Sequence, residues 1–240
     1  GMTMFALKGR EVLCKCAIGI MVWSLLVLLP ENVSAQSSEL DQAYQQGMAL
    51  HKKGQYRKAI PFYQKALELG EREFGPHHKT TAIFINTLAL LYDKQGRYAA
   101  AEPLYKRALA IFEKTLGPGH PYVALGLNNL ANLYDDQGRY ADAEPLYKRS
   151  LAIKEKALGP EHPSVATGLN NLAGLYRKQG RYADAEPLFK RSLAIREKAV
   201  GPEHPAVALG LNNLAFLYKT QGRESEGLDY PRRATAIHQG

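Results

Sequence analysis

Glycine stands before proline at Gly75, Gly117, Gly159 and Gly201, and a second glycine series, Gly54, Gly96, Gly138, Gly180 and Gly222, recurs within "KGQ" or "QGR". Both series advance by 42 residues. A fixed period of this size means one supersecondary unit used repeatedly, each copy burying against its neighbours the apolar face it cannot bury alone. Two helical patterns fill each period. In the first, Leu127, Leu130, Ala131 and Tyr134 follow spacings of three, one and three, which is one face of a helix. Pro121, Pro163 and Pro205 suit its first turn, where a missing N–H leaves nothing unpaired.

The second pattern, "YADAEPLYKRSLAIKEKAL" at 140–158, offers Ala143, Leu146, Tyr147, Leu151 and Ile153 as its apolar set. Lys156, Gly159 and Pro160 close it: a cation near the carbonyl end, a glycine free to turn left-handed, and a proline that forbids continuation. Pro145 conflicts with this, because a proline past the first turn clashes with the carbonyl four residues back. The helix is therefore expected to start late, near Asp142, or to bend at its start.

Helix, tight turn, helix is the unit, and "LNNLANLYDDQGRYADAEPLYKRSLAI" at 127–153 resembles a tetratricopeptide repeat, in the 42-residue version of kinesin light chains and many bacterial relatives. Gly138, Tyr140, Ala143 and Tyr147 match its small and aromatic positions, read as the places where the two helices approach closely. The resemblance runs from about residue 40 to residue 240. It implies an all-α fold, a right-handed α-solenoid of antiparallel helix pairs, in a domain at 36–240 with units at about 39–75, 76–117, 118–159, 160–201 and 202–240.

The end units depart from the pattern, as a stack with one wet face at each end requires. In the first, "YQQGMALHKKGQYRKAIPFYQKALEL" at 44–69 lacks the paired asparagines, and Ser38 with Asp41 is expected to cap its opening helix. In the last, Glu224 and Gly227 replace Tyr140 and Ala143, and Pro231 falls where Tyr147 stood. Its second helix is expected to be short, frayed or broken at Pro231.

Residues 1–35 are of another kind. Gly1 ahead of Met2 reads as an expression remnant; Lys8, Arg10 and Lys15 then lead into "CAIGIMVWSLLVLL" and end at "VSA" before Gln36. A basic start, a short apolar run and small residues at a junction are the pattern of a secretory signal peptide, so export to the periplasm or medium is expected. The apolar run falls short of the ~20 residues that span a bilayer. An uncleaved anchor is the alternative, with the same domain tethered. Cys14, Cys16 and Trp23, which are all the cysteines and the one tryptophan, lie inside this leader. A mature chain would have no thiol for a disulfide, a metal or a nucleophile. It would lose three of the 31 basic residues and two of the 23 acidic ones, leaving 28 against 21, a net of +7. That balance favours an acidic partner but is no nucleic-acid signature by itself, and a solvated basic surface is the plainer reading. The 42-residue period is also not that of helical arrays that read RNA.

The segment "LNNLA" recurs at 127–131, 169–173 and 211–215, with "INTLA" at 85–89. Asparagine is a poor helix former because its amide competes for backbone groups, so its recurrence needs a reason. At about 100° per residue, Asn129 lies opposite the apolar face, beside Leu125, Asn132 and Asp136, with Asn128 on the flank. The resemblance places first helices along a concave face, and so puts Asn129, Asn171 and Asn213 in a groove, with Thr87 as their counterpart in the second unit and Asn128, Asn170 and Asn212 beside them. A side-chain amide both donates and accepts, so a ladder of them can hold an extended peptide backbone. The competing reading has the asparagines bond to the adjacent helix and fix register. Variable positions would give specificity: Leu90, Asn132, Gly174 and Phe216, then Asp93–Lys94, Asp135–Asp136, Arg177–Lys178 and Lys219–Thr220. Such a groove runs from acidic to basic, with Phe216 near the basic end.

His78, His120, His162 and His204 recur in the "GPxH" loops. Packed helices lie about 8–10 Å apart and two ligands of one zinc only about 3–4 Å apart, so a capping role at the helix start is expected rather than a metal site. Glu144 and Glu186 are likewise a row rather than an acid–base pair. The "KR" pairs, Lys106–Arg107, Lys148–Arg149 and Lys190–Arg191, read as a solvated outer face. No phosphate loop, serine elbow or dinucleotide fingerprint occurs. The expectation is a non-catalytic scaffold without cofactor or metal that binds a peptide or protein. Its rival is a self-assembling structural solenoid, a homo-oligomer with an empty groove.

Overall fold

The computed structural model describes the backbone of residues 31–239 and the side chains of 38–237; the leader reading for residues 1–30 lies outside the described residues. The chain divides into two compact units between Pro76 and His77. The first holds α1 (Glu31–Lys52) and α2 (Tyr56–Phe74). Leu40, Ala43 and Tyr44 of α1 and Ala59, Ile60, Tyr63, Ala66 and Leu69 of α2 are buried, and Tyr44 meets Tyr63 edge-on at 5.6 Å. A Cβ on Gly47 would stand 3.0 Å from the Tyr63 ring, so here glycine permits close approach. Ser38 does not cap α1. The helix already runs through it from Glu31, because 31–37 contains neither glycine nor proline to stop it.

The second unit holds four helix pairs: α3 (Lys79–Asp93) with α4 (Tyr98–Leu116), α5 (Pro121–Asp136) with α6 (Tyr140–Leu158), α7 (Pro163–Lys178) with α8 (Tyr182–Val200), and α9 (Pro205–Thr220) with α10 (Asp229–Gln239). No strand occurs among the described residues, and none of their helices is long and apolar enough to cross a membrane. Each first helix starts at a histidine, whose Nδ1 accepts from the N–H two residues on: Thr80, Tyr122, Ser164 and Ala206 at 3.1–3.2 Å. The capping expectation holds at all four. Each pair then turns at "QG" with a left-handed glycine, φ +72° at Gly138, where the Arg139 N–H reaches back to the Tyr134 carbonyl at 2.8 Å.

Gly138 is therefore needed for its backbone and not for close packing, since a Cβ there would touch nothing within 4 Å. Close approach is made at Gly126, Gly168 and Gly210, where a Cβ would lie 3.1–3.3 Å from the Cδ1 of Leu109, Leu151 or Leu193. Ala143, Tyr147 and Leu133 are buried, and the buried Ser150 and Ser192 hydroxyls donate to the Ala124 and Ala166 carbonyls at 2.7 Å, tying each pair together.

Pro145 neither delays nor breaks α6, which starts at Tyr140. Pro145 and Ala141, whose carbonyl loses its partner, are both exposed, so water can satisfy the lost bond. The last pair differs. A 3-10 turn at Glu224–Gly227 precedes the 11-residue α10, and Pro231 sits in the first turn of α10 rather than breaking it.

Candidate functional site

The asparagines are joined to one another along the stack. Asn129 Nδ2 donates to Asn86 Oδ1 at 3.2 Å, Asn171 to Asn128 at 3.0 Å and Asn213 to Asn170 at 2.6 Å. The second asparagine of each pair thus reaches the first of the preceding unit. The acceptors Asn86 and Asn128 are buried, whereas Asn212 is exposed. Each donating amide keeps its oxygen and a second N–H, so it remains able to bond elsewhere. Asn132 Oδ1 accepts from the Tyr147 hydroxyl at 2.6 Å.

A second tie joins the units outside this face. Glu186 accepts from the Tyr218 hydroxyl at 2.6 Å and from Arg223 at 2.8 Å, as Glu144 does from Tyr176 and Arg181, and Glu102 from Tyr134 and Arg139. The arginine also lies over the tyrosine ring, 4.0 Å from its centroid at Arg181 and Tyr176. Lys190, foremost, together with the Tyr218 hydroxyl, pulls the Glu186 carboxyl down to about 2. The arginines of the "KR" pairs are ties too: Arg149 pairs with Glu113 at 2.7 Å and Arg191 with Glu155 at 2.6 Å. They remain partly exposed on second helices, so the outer face is solvated and braced at once. Sequence reasoning missed both ties, although a Glu, a Tyr 32 residues on and an Arg 37 residues on recur three times.

The charged positions are partly committed. Lys178 Nζ lies 2.8 Å from Asp135 Oδ2, and the Arg177 guanidinium lies 4.6 Å from the centre of the Phe216 ring. Lys219 is exposed. Phe216 and Leu209, two turns apart on α9, are each about half exposed, at 53% and 52%. Leu125 of α5 is also exposed. First helices thus present apolar anchors, half-used amides and charges on the side turned away from their own partner helices. Nothing in this set joins a nucleophile to a base, and no three acidic or histidine side chains among the described residues are placed to hold a metal ion.

Stacked antiparallel helix pairs closed by a left-handed glycine and tied by repeating side-chain ladders define a helical repeat protein. The chain belongs to the tetratricopeptide repeat family, whose model matches residues 39–114, 83–156, 122–198 and 164–239. Among solved structures it is similar to BtubC (BKLC) from P. vanneervenii, with a TM-score of 0.72 and 24% identity over 86% of this chain and 89% of that one. It is also similar to a putative kinesin light chain with nearly identical TPR-like repeats from Podosopora anserina, with a TM-score of 0.70 and 26% identity over 87% and 97%. The Rap conjugation gene regulator of plasmid pLS20, solved in complex with the Phr* peptide, has a TM-score of 0.69 and 16% identity, the match covering 98% of this chain and 62% of that one. That likeness is of fold alone. No curated protein matches the chain.

Proposed function

We propose that the chain is an exported, non-catalytic scaffold that holds an extended segment of a partner protein along the first helices of its second unit. The observation that carries this reading is the exposed pair Leu209 and Phe216, flanked by Arg177 and by the remaining bonding capacity of Asn171 and Asn213. Two large apolar side chains in water beside amide donors and acceptors are what peptide recognition needs: anchors for side chains and partners for a backbone. Arg177, Lys178 and Lys219 favour acidic residues over that end. A peptide ligand is in keeping with the Rap conjugation gene regulator, similar in fold, having been solved in complex with the Phr* peptide.

The self-assembling alternative has less to support it. A further unit of the same kind would bring tyrosine and arginine donors to the positions that follow Glu186 and Glu197 by one period. Leu228 and Gln239 stand there instead, and Lys219 stands where Asp135 receives Lys178. Panning a display library of random dodecapeptides on the chain tests the proposal. Enriched apolar–acidic peptides whose binding is lost in Phe216→Ser support it; growth in mass with concentration, with no peptide enriched, supports self-assembly.

A further inference from the structure

Successive first helices of the second unit meet in one register, in which a residue of one helix reaches the residue 43 positions earlier on the helix before, as Asn171 reaches Asn128. Lys178 on Asp135, at 2.8 Å, is that register between α7 and α5. Between α5 and α3 the same two positions are Asp136 and Asp93. Two carboxylates stand where the next register has an ammonium on a carboxylate.

Asp93 is only 8% exposed, and its Oδ1 is buried and accepts no hydrogen bond. Its Oδ2 has one long contact, 3.4 Å from the Tyr105 hydroxyl. Asp135 Oδ1 is likewise buried and unbonded. Burial first, then the charge of Asp136, push the Asp93 carboxyl up, against an opposing pull from Lys94 and the Tyr105 bond. Tyr147, facing Asp135 and Asp136 from α6, is pushed up as well, by burial foremost. A buried carboxylate without a cation or sufficient donors is costly, and at Asp135 Lys178 offsets that cost through Oδ2, whereas Asp93 Oδ2 has only the long Tyr105 contact.

Resting on the groove reading above, we infer that the Asp93–Asp136 register seats a lysine or arginine side chain of the bound segment, its cation lying on the two carboxylates as Lys178 lies on Asp135. An organic cation fits better than a metal ion, because no three acidic or histidine side chains among the described residues are placed to ligate one. The ligand then has a direction: its basic residue lies over α3 and α5, its acidic residues over Arg177 and Lys219.

The test uses the full chain and an array of synthetic decapeptides in which lysine, arginine, glutamate or alanine is walked through a serine–leucine background. Lysine and arginine peptides should bind at least about tenfold more tightly than their alanine counterparts, as charge-assisted bonds to a desolvated carboxylate imply. Asp136→Lys supplies the cation from within, so it should raise the melting temperature and erase that preference while binding of the alanine peptides is kept. Asp93→Asn, which preserves shape, should also erase it. An Asp136→Lys protein that melts no higher than the parent, or still prefers cationic peptides, overturns the inference. Peptides bound without cation preference overturn it and leave the groove reading standing; no peptide bound at all overturns both. If millimolar calcium or magnesium raises the melting temperature of the parent but not of Asp136→Lys, the occupant is a metal ion and the assignment to a side chain falls.

Discussion

Asn171 Nδ2 donates to Asn128 Oδ1 at 3.0 Å across 43 residues of sequence, so one amide closes the step between two repeating units. The acceptor is buried. Removing the donor leaves a buried oxygen unpaired, whereas Asn213 serves Asn170, which is only half-buried and finds water more readily. Asn171→Ala should lose about 1–3 kcal/mol of unfolding free energy and Asn213→Ala less. Urea unfolding followed by circular dichroism decides between them, and equal losses would mean that burial of the acceptor is irrelevant.

The stability of the stack should fall in acid. Glu186 has its carboxyl lowered from the ordinary 4.5 to about 2, first by the hydrogen bond from Lys190, then by that from Tyr218. A carboxylate whose folded value lies below its unfolded value contributes fully above the unfolded value and loses that contribution as pH falls toward the folded one. Melting temperature should therefore drop between about pH 4.5 and about pH 2. Glu186→Gln should be less stable at pH 7 and should flatten that part of the curve; a parallel curve would remove Glu186 as its source.

Glycine substitutions should differ in sign. Gly174 lies in α7 with nothing within 4 Å of an added Cβ, so Gly174→Ala should stabilise by about 0.5–1 kcal/mol through helix propensity. A Cβ on Gly227 would meet Tyr218 Cβ at 2.8 Å and Cγ at 2.9 Å, so Gly227→Ala should destabilise by about 1–3 kcal/mol despite lying in the last unit. Differential scanning calorimetry on the pair gives both signs in one experiment.

On the proposed groove, Arg177→Glu should weaken binding of an acidic peptide and invert its salt dependence, because exposed charges act within about 8–10 Å at physiological salt. Lys178→Glu should do less for the ligand and more harm to the fold, since it sets a carboxylate against Asp135. Calorimetric titration at two salt concentrations, alongside melting curves, separates the two effects.

Export predicts a mature chain that starts at Gln36 and shows tyrosine emission alone, because Trp23 leaves with the leader. Intact mass and fluorescence of protein from the envelope fraction report it. Tryptophan emission there would indicate an uncleaved anchor.

The period, the helix pairs and the capping histidines were legible in the sequence because they depend on contacts within a few residues: apolar spacing at 3.6, proline at a helix start, glycine where the backbone turns left-handed. Local information of that kind also misled, at Pro145 and at Ser38, where neighbours left the helix free to run on. What only the tertiary structure decided is which residue of one unit meets which of the next. A helical wheel fixes the direction of Asn129 about its own axis, yet the axis of the preceding helix determines that its amide ends on Asn86. The Glu186, Tyr218 and Arg223 tie, the Gly168 contact with Leu151 and the facing of Asp136 with Asp93 are of the same kind. Each depends on the offset between stacked units, a distance that the repeat length in residues does not contain, because it is set by how close the small side chains let the helices come.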